Sequence, residues 1–129
     1  MIVTFEELQA FLAEQFPQGA RYGTLQELGD GWAEMKLEVA EEHLRPGGTV
    51  SGPAMMALAD VALYAALLGK IGLVPLAVTS NLNINFLRKP VAHSPIRARA
   101  SMLRIGKTSG VGEVYILSDG LEDPVAHAT

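Results

Sequence analysis

The chain has no cysteine. That absence excludes a disulfide framework, thiolate catalysis and zinc held by cysteine. Aromatic residues make up only 6% of the sequence, and Trp32 and Tyr115 read as packing residues rather than base-stacking platforms; basic residues are outnumbered too, 10 Lys and Arg against 14 Asp and Glu, so no nucleic-acid partner is expected. The three histidines, His43, His93 and His127, lack ligand spacing, which argues against a metal site. No basic-then-apolar leader opens the chain, since Glu6 and Glu7 arrive at once, so a cytoplasmic rather than a secreted protein is expected.

What is present is apolar. Of 129 residues, 49% are hydrophobic, mostly Ala, Leu and Val. A chain of this length suits one domain over 1–129 and buries about two-thirds of its unfolded surface, which excludes disorder. Charge is unevenly placed. Residues 1–60 hold ten acids and three bases, residues 61–112 hold seven bases and no acid, and the remainder adds four acids. A basic block inside an acidic chain points to a local anionic partner, or to strand faces with acids opposite them in space.

Thr4-x-x-Glu7 is a capping box ahead of Phe5, Leu8, Phe11 and Leu12 at helical spacing, so a helix is expected over about 4–16, ended by Pro17. Residues 19–27 read as a strand. Gly29-Asp30-Gly31 then forms a turn, and Ala33, Met35, Leu37 and Val39 alternate with polar residues in a second strand. After the Pro46-Gly47-Gly48 loop, Ser51 to Gly69 is apolar on every side except at Asp60. The pattern predicts a central helix over about 52–69 with Gly69 as its C-cap. At about 16 residues between its punctuating ends it falls short of a bilayer span, so a buried helix and no membrane partner are expected. A period of two then returns at Leu82, Ile84 and Phe86, at Ile96 to Met102, at Val111 to Leu117 and at Pro124 to Ala128, predicting about four strands in meander. An antiparallel sheet curled around one apolar helix satisfies every segment.

Asp60 is the sharpest chemical feature. A carboxylate amid an apolar helix costs several kcal/mol unless it is paired or faces a cavity. At the start of the same helix, Gly52 offers a backbone N–H able to polarise a carbonyl. Eight residues separate the two, about 12 Å along a helix. A reacting carbonyl must lie about 3 Å from both groups, so one chain cannot supply the pair. Two copies, antiparallel about a two-fold axis, can. Other signals are weaker. Gly106-Lys107-Thr108 resembles a phosphate-loop ending but lacks its first glycine, since Ser101 stands there. A Ser51 triad with His43 or His93 and Asp60 lacks the Gly-x-Ser-x-Gly elbow.

The run Gly48-Thr-Val-Ser-Gly-Pro53, with Asp60 nine residues after Ser51, resembles the acyl-CoA thioesterases of the phenylacetate-pathway type. Thr79 to Pro90 and Asp119-Gly120 to Ala126 are similar to later stretches of that family, so the resemblance runs from about residue 20 to the end. It implies an α+β hotdog fold, an antiparallel sheet wrapped around one long central helix, and hydrolysis of an acyl-CoA by a homodimer or dimer of dimers. By position, Asp60 matches the nucleophile or general base, Gly52 the donor that polarises the carbonyl, and Thr79 the residue that orients water. Arg45, Ser51, Arg88, Lys89, Arg104 and Lys107 are the candidates for binding coenzyme A, with no cofactor beyond that carried by the substrate and no metal. The chain departs from the family in two places: Ser51 and Pro53 replace the flanks of a His-Gly-Gly, and Arg45 stands where many relatives have Asn. Those departures favour the alternative of a hotdog protein that binds an acyl-CoA or a small apolar ligand without turning it over. A dehydratase is a third reading, weakened because no histidine lies in or beside the central helix.

Overall fold

The computed structural model describes residues 2–129. Helix α1 spans Phe5–Gln15, and its start is closed reciprocally: Glu7 N–H donates to Thr4 Oγ1 at 3.1 Å and Thr4 N–H to Glu7 Oε1 at 3.0 Å. The strand expected over 19–27 begins late. Residues Pro17–Tyr22 form a 3-10 helix instead, and strand β1 runs from Thr24 to Gly29. Pro17 pre-sets the first turn, and Gly19 lies so close under the Phe16 ring that a Cβ there would sit 2.6 Å from it. Strand β2, Trp32–Leu37, returns antiparallel to β1.

Helix α2 spans Gly52–Ile71, 20 residues. The Gly69 cap expected from sequence is corrected: Gly69 is buried inside the helix, where a Cβ would meet Leu28 Cδ1 at 2.8 Å. It is a close-approach glycine. Gly72, at φ 108°, ends the helix. The helix is also longer than the about 16 residues expected from sequence, and at 20 residues it is long and apolar enough to cross a bilayer. Burial identifies the helix instead. Leu58, Ala59, Ala62, Ala65, Ala66 and Leu68 are completely enclosed, so α2 is the core helix of the domain.

Strands β3 (Ile84–Phe86), β4 (Ile96–Ile105), β5 (Gly110–Ser118) and β6 (Ala126–Ala128) complete a six-stranded antiparallel sheet in the order β1-β2-β4-β5-β6-β3. The meander forms only for β4-β5-β6. Strand β3 pairs with β6 because the chain leaving it is tied there: Leu87 and Arg88 N–H both donate to the Val125 carbonyl, at 2.8 and 3.2 Å. Its other side is an open sheet edge. The inner face presents Ala33, Met35, Ile96, Ala98, Ala100 and Ile116 to α2. Alanines on both surfaces let helix and sheet approach closely, and the sheet wraps around the helix as the hotdog architecture requires.

The outer face answers the question raised by the basic block. Glu34, almost buried, takes Arg97 at 3.4 Å and Arg99 at 3.2 Å, while Arg97 also reaches Asp119 at 3.1 Å. The bond to Asp119 is the main reason the Arg97 guanidinium holds its proton more tightly than usual. Lys70 pairs with Asp30 at 2.7 Å. Three of the seven bases are thus matched by acids. Lys89, Arg104 and Lys107 have no ion pair among the described residues, and Arg88 donates to the Pro124 carbonyl.

Candidate active site

The fold gathers the sequence-selected residues into two groups along α2. Asp60 lies near the middle of the helix, half-buried, and Thr79 Oγ1 donates to its Oδ1. Thr79 belongs to the irregular segment that follows α2 and leads toward β3. The carboxylate is therefore held through one oxygen. One turn further along the helix, Tyr64 packs edge-on against Phe16 and reaches the Pro75 carbonyl at 3.5 Å, and partial burial raises the pKa of its phenol.

The second group surrounds the start of α2. The loop before it is tight: Arg45 N–H donates to the Thr49 carbonyl at 2.8 Å and Gly48 N–H to the Arg45 carbonyl at 3.1 Å. Gly47 and Gly48 take φ of 100° and 79°, a region that favours glycine. Ser51 caps the helix, its Oγ accepting from Ala54 N–H at 3.2 Å and its carbonyl from Met55 N–H at 3.2 Å. Pro53 has no N–H. Gly52 therefore carries the one N–H of the first turn that has no partner among the described residues. It lines a hollow of about 320 Å³ together with Arg45, Met55, Phe86, Arg88 and Lys89. The Phe86 ring stands against the glycine, and a Cβ at position 52 would lie 3.2 Å from it.

This hollow brings together three of the predicted cations, and Ser51 adjoins it as a cap. Arg104 and Lys107 are elsewhere, at the end of β4 and in the turn to β5. That hairpin lies against the later half of α2, where Gly110 and Gly112 face Leu67 and Leu63. Gly52 and Asp60 of one chain remain eight residues apart on an unbroken helix, about 12 Å. The imagined triad does not form. The His43 ring is buried and engaged on both sides, with Nδ1 accepting from Ala40 N–H at 2.9 Å and Nε2 bonded to the Arg21 carbonyl at 2.7 Å. His93 sits exposed in a turn, and His127 bonds Glu113 at 2.9 Å.

Phe86 is a site-lining residue that the sequence did not single out as such. Phe86 shares its alternation with Leu82 and Ile84, which suggests an inward ring, yet it is 50% exposed. Only the pairing of β3 with β6 carries it to the start of α2. The arrangement as a whole offers a carboxylate with one oxygen free, an unengaged N–H at a positive helix end and a cationic hollow beside that N–H.

A model of the thioesterase superfamily matches residues 47–124, which include Gly52, Asp60, Thr79, Arg88 and Lys89. Among solved structures, a protein from Silicibacter sp. TM1040 provisionally described as a thioesterase superposes with a TM-score of 0.90 at 43% identity, over 99% of this chain and 89% of that one. The phenylacetic acid degradation protein PaaI from Thermus thermophilus, solved as a mutant, gives a TM-score of 0.75 at 27% identity, over 87% and 93%. A curated protein of Thermoplasma acidophilum provisionally described as an esterase is 36% identical over 80 residues, which is 62% of this chain and 59% of that protein.

Proposed function

Because the chain belongs to the thioesterase superfamily, we propose that it hydrolyses an acyl-CoA thioester at a site built from two copies of the chain. In this reading it is a cytoplasmic homodimer, able to pair further into a tetramer. Asp60 of one copy removes a proton from water, and the water oxygen adds to the thioester carbonyl carbon. Gly52 N–H of the other copy stabilises the oxyanion. When the C–S bond breaks, the electron pair leaves with sulfur, which takes a proton to give free coenzyme A. The acid is the second product. Thr79 holds one Asp60 oxygen so that the other faces the water. Arg45, Arg88 and Lys89 meet the phosphates of coenzyme A.

The observation that carries the reading is the separation of Asp60 from Gly52 on one straight helix, combined with the surface around Asp60. Pro53, Met56, Asp60, Leu63 and Leu67 follow helical spacing along one side of α2, and none of them is fully buried. The segment after the helix exposes Leu76 at 86% and Val78 at 87%. A second antiparallel copy would cover this apolar stripe and bring each Gly52 toward the other copy's Asp60. The test is free-thiol release from a panel of acetyl-, hexanoyl-, benzoyl- and dodecanoyl-CoA, with Asp60→Asn alongside. Turnover that the substitution leaves untouched would remove Asp60 from the reaction.

One observation favours a second reading. Pro53 deletes a donor beside Gly52, leaving a single N–H where an oxyanion needs strong stabilisation. A chain that binds acyl-CoA without cleaving it would show ligand-induced thermal stabilisation and no thiol release across the same panel.

A further inference from the structure

Residues 72–83, between α2 and β3, form neither helix nor strand, yet they carry Thr79 to Asp60. Little inside the segment fixes its course. Among the described residues, one backbone–backbone hydrogen bond forms within 73–82, from Ala77 N–H to the Val74 carbonyl at 3.2 Å. Leu76 and Val78 are almost fully exposed, so packing within the chain does not hold them. Two side-chain hydrogen bonds tie the segment to α2. Thr79 Oγ1 donates to Asp60 Oδ1, and the Tyr64 hydroxyl donates to the Pro75 carbonyl at 3.5 Å. The spacings match: residues 60 and 64 are four apart on the helix, and 79 and 75 are four apart on a segment running the other way. The segment is thus laced to one side of α2 at two rungs, about 6 Å apart along the helix axis.

Both ends of the Tyr64 rung are prepared. Val74 to Ala77 form a turn with Pro75 at the position where its fixed φ is favoured, and the turn's own bond uses the Val74 carbonyl, leaving that of Pro75 free. The Tyr64 ring packs edge-on against Phe16, at 6.4 Å between centroids and 74° between planes. Phe16 is in turn wedged over Gly19, where a Cβ would not fit. Burial raises the pKa of the phenol, so it keeps the proton it donates. Register matters at the other rung. Val78 has no hydroxyl and Ser80 has one, so a slip of one residue would take Thr79 off Asp60. We infer that Tyr64 is a positioning residue of the proposed active site: its bond to Pro75 sets the register of 72–83 against α2, so that Thr79 rather than a neighbour meets Asp60. This rests on the thioester reading, in which the Thr79 bond leaves the other Asp60 oxygen to the water. Tyr64 acts through Thr79 and need not touch the substrate.

A double-mutant cycle on thioester turnover tests it. Tyr64→Phe keeps the ring against Phe16 and removes only the hydroxyl, so it should fold with a melting temperature close to that of the wild type. It should lower kcat about threefold to tenfold, the effect of one hydrogen bond, and leave KM within about twofold. Thr79→Val should lower kcat about tenfold, and the double variant should fall no further, because both changes undo one contact. A Tyr64→Phe enzyme with wild-type kcat overturns the proposal. So do losses that multiply in the double variant, since Tyr64 would then act apart from Thr79. A threonine ¹³C-methyl NMR spectrum reads the same geometry without turnover, the Thr79 signal being the one missing from Thr79→Val. Tyr64→Phe should shift that signal and leave the signal of Thr108, in the turn between β4 and β5, in place. An unmoved Thr79 signal overturns the proposal. If the wild type cleaves no thioester, the hydrolysis reading falls, and the spectrum still decides whether Tyr64 sets the register.

Discussion

Thr79 Oγ1 donates a hydrogen bond to Asp60 Oδ1. The two residues come from different segments, the middle of α2 and the irregular chain that follows it, and the bond fixes which carboxylate oxygen remains open. It also meets the cost of placing an acid on an otherwise apolar stretch of helix. The first prediction follows directly. Asp60→Asn should lower kcat on a cleaved thioester by about 10²-fold or more, while Thr79→Val should cost about tenfold. Steady-state kinetics beside thermal melts checks this, since neither substitution should unfold the protein.

A second prediction concerns the outer face of the sheet. Glu34 is 7% exposed and bridges Arg97 and Arg99. Glu34→Ala should destabilise the fold by about 1–3 kcal/mol, because the acceptor of two charge-assisted bonds is lost from a largely enclosed position. Urea denaturation reads the change, and Lys36→Ala, whose ion pair with Glu38 is exposed on the acid side, should cost much less.

His43 supplies a third. Its ring ties the 3-10 helix at Arg21 to the turn at Ala40, and its carbonyl accepts from Ser51 N–H at 2.8 Å, just before α2. His43→Ala should cost about 2–4 kcal/mol of stability through two unmade bonds and a void. Denaturant melts measure it. A catalytic histidine would instead show lost turnover in a protein of normal stability.

The acid side of the stability profile gives a fourth. The bond from Lys70 lowers the Asp30 carboxyl to about 2. A carboxylate lowered in the folded state contributes stability at neutral pH that disappears as pH falls from about 4 toward 2. Asp30→Asn should be less stable than wild type across the neutral range, lack the fall between about pH 4 and 2, and converge with wild type at the acid end. Denaturation midpoints at a series of acidic pH values test it.

Much of this architecture is legible in the residues themselves. The Thr4–Glu7 capping box, the alternation through β2 and β4 and the single charge amid the apolar part of α2 all reflect periods that a sequence states locally. Two features could not be read that way. Gly69 looks like a helix stop, and only the sheet's approach through Leu28 shows that it permits close packing. The alternation of Leu82, Ile84 and Phe86 announces a strand, but its partner is chosen by bonds from Leu87 and Arg88 to Val125, some 40 residues later in the chain. The site divides in the same way. Asp60 and Gly52 stand out one residue at a time, whereas the hollow around Arg45, Phe86 and Lys89 exists only after β3 has docked on β6.

The central claim is that Asp60 and Gly52 act across two copies of the chain, and subunit complementation tests it most directly. Asp60→Asn removes the base, and Gly52→Pro removes the N–H donor. Each variant alone should be nearly inactive. Mixed by co-refolding, they form heterodimers with one site carrying both defects and the other carrying neither, and activity should return to about a quarter of wild type. A mixture that stays as inactive as its components, with heterodimers demonstrated by mass, would place both residues within a single chain's site and contradict the account.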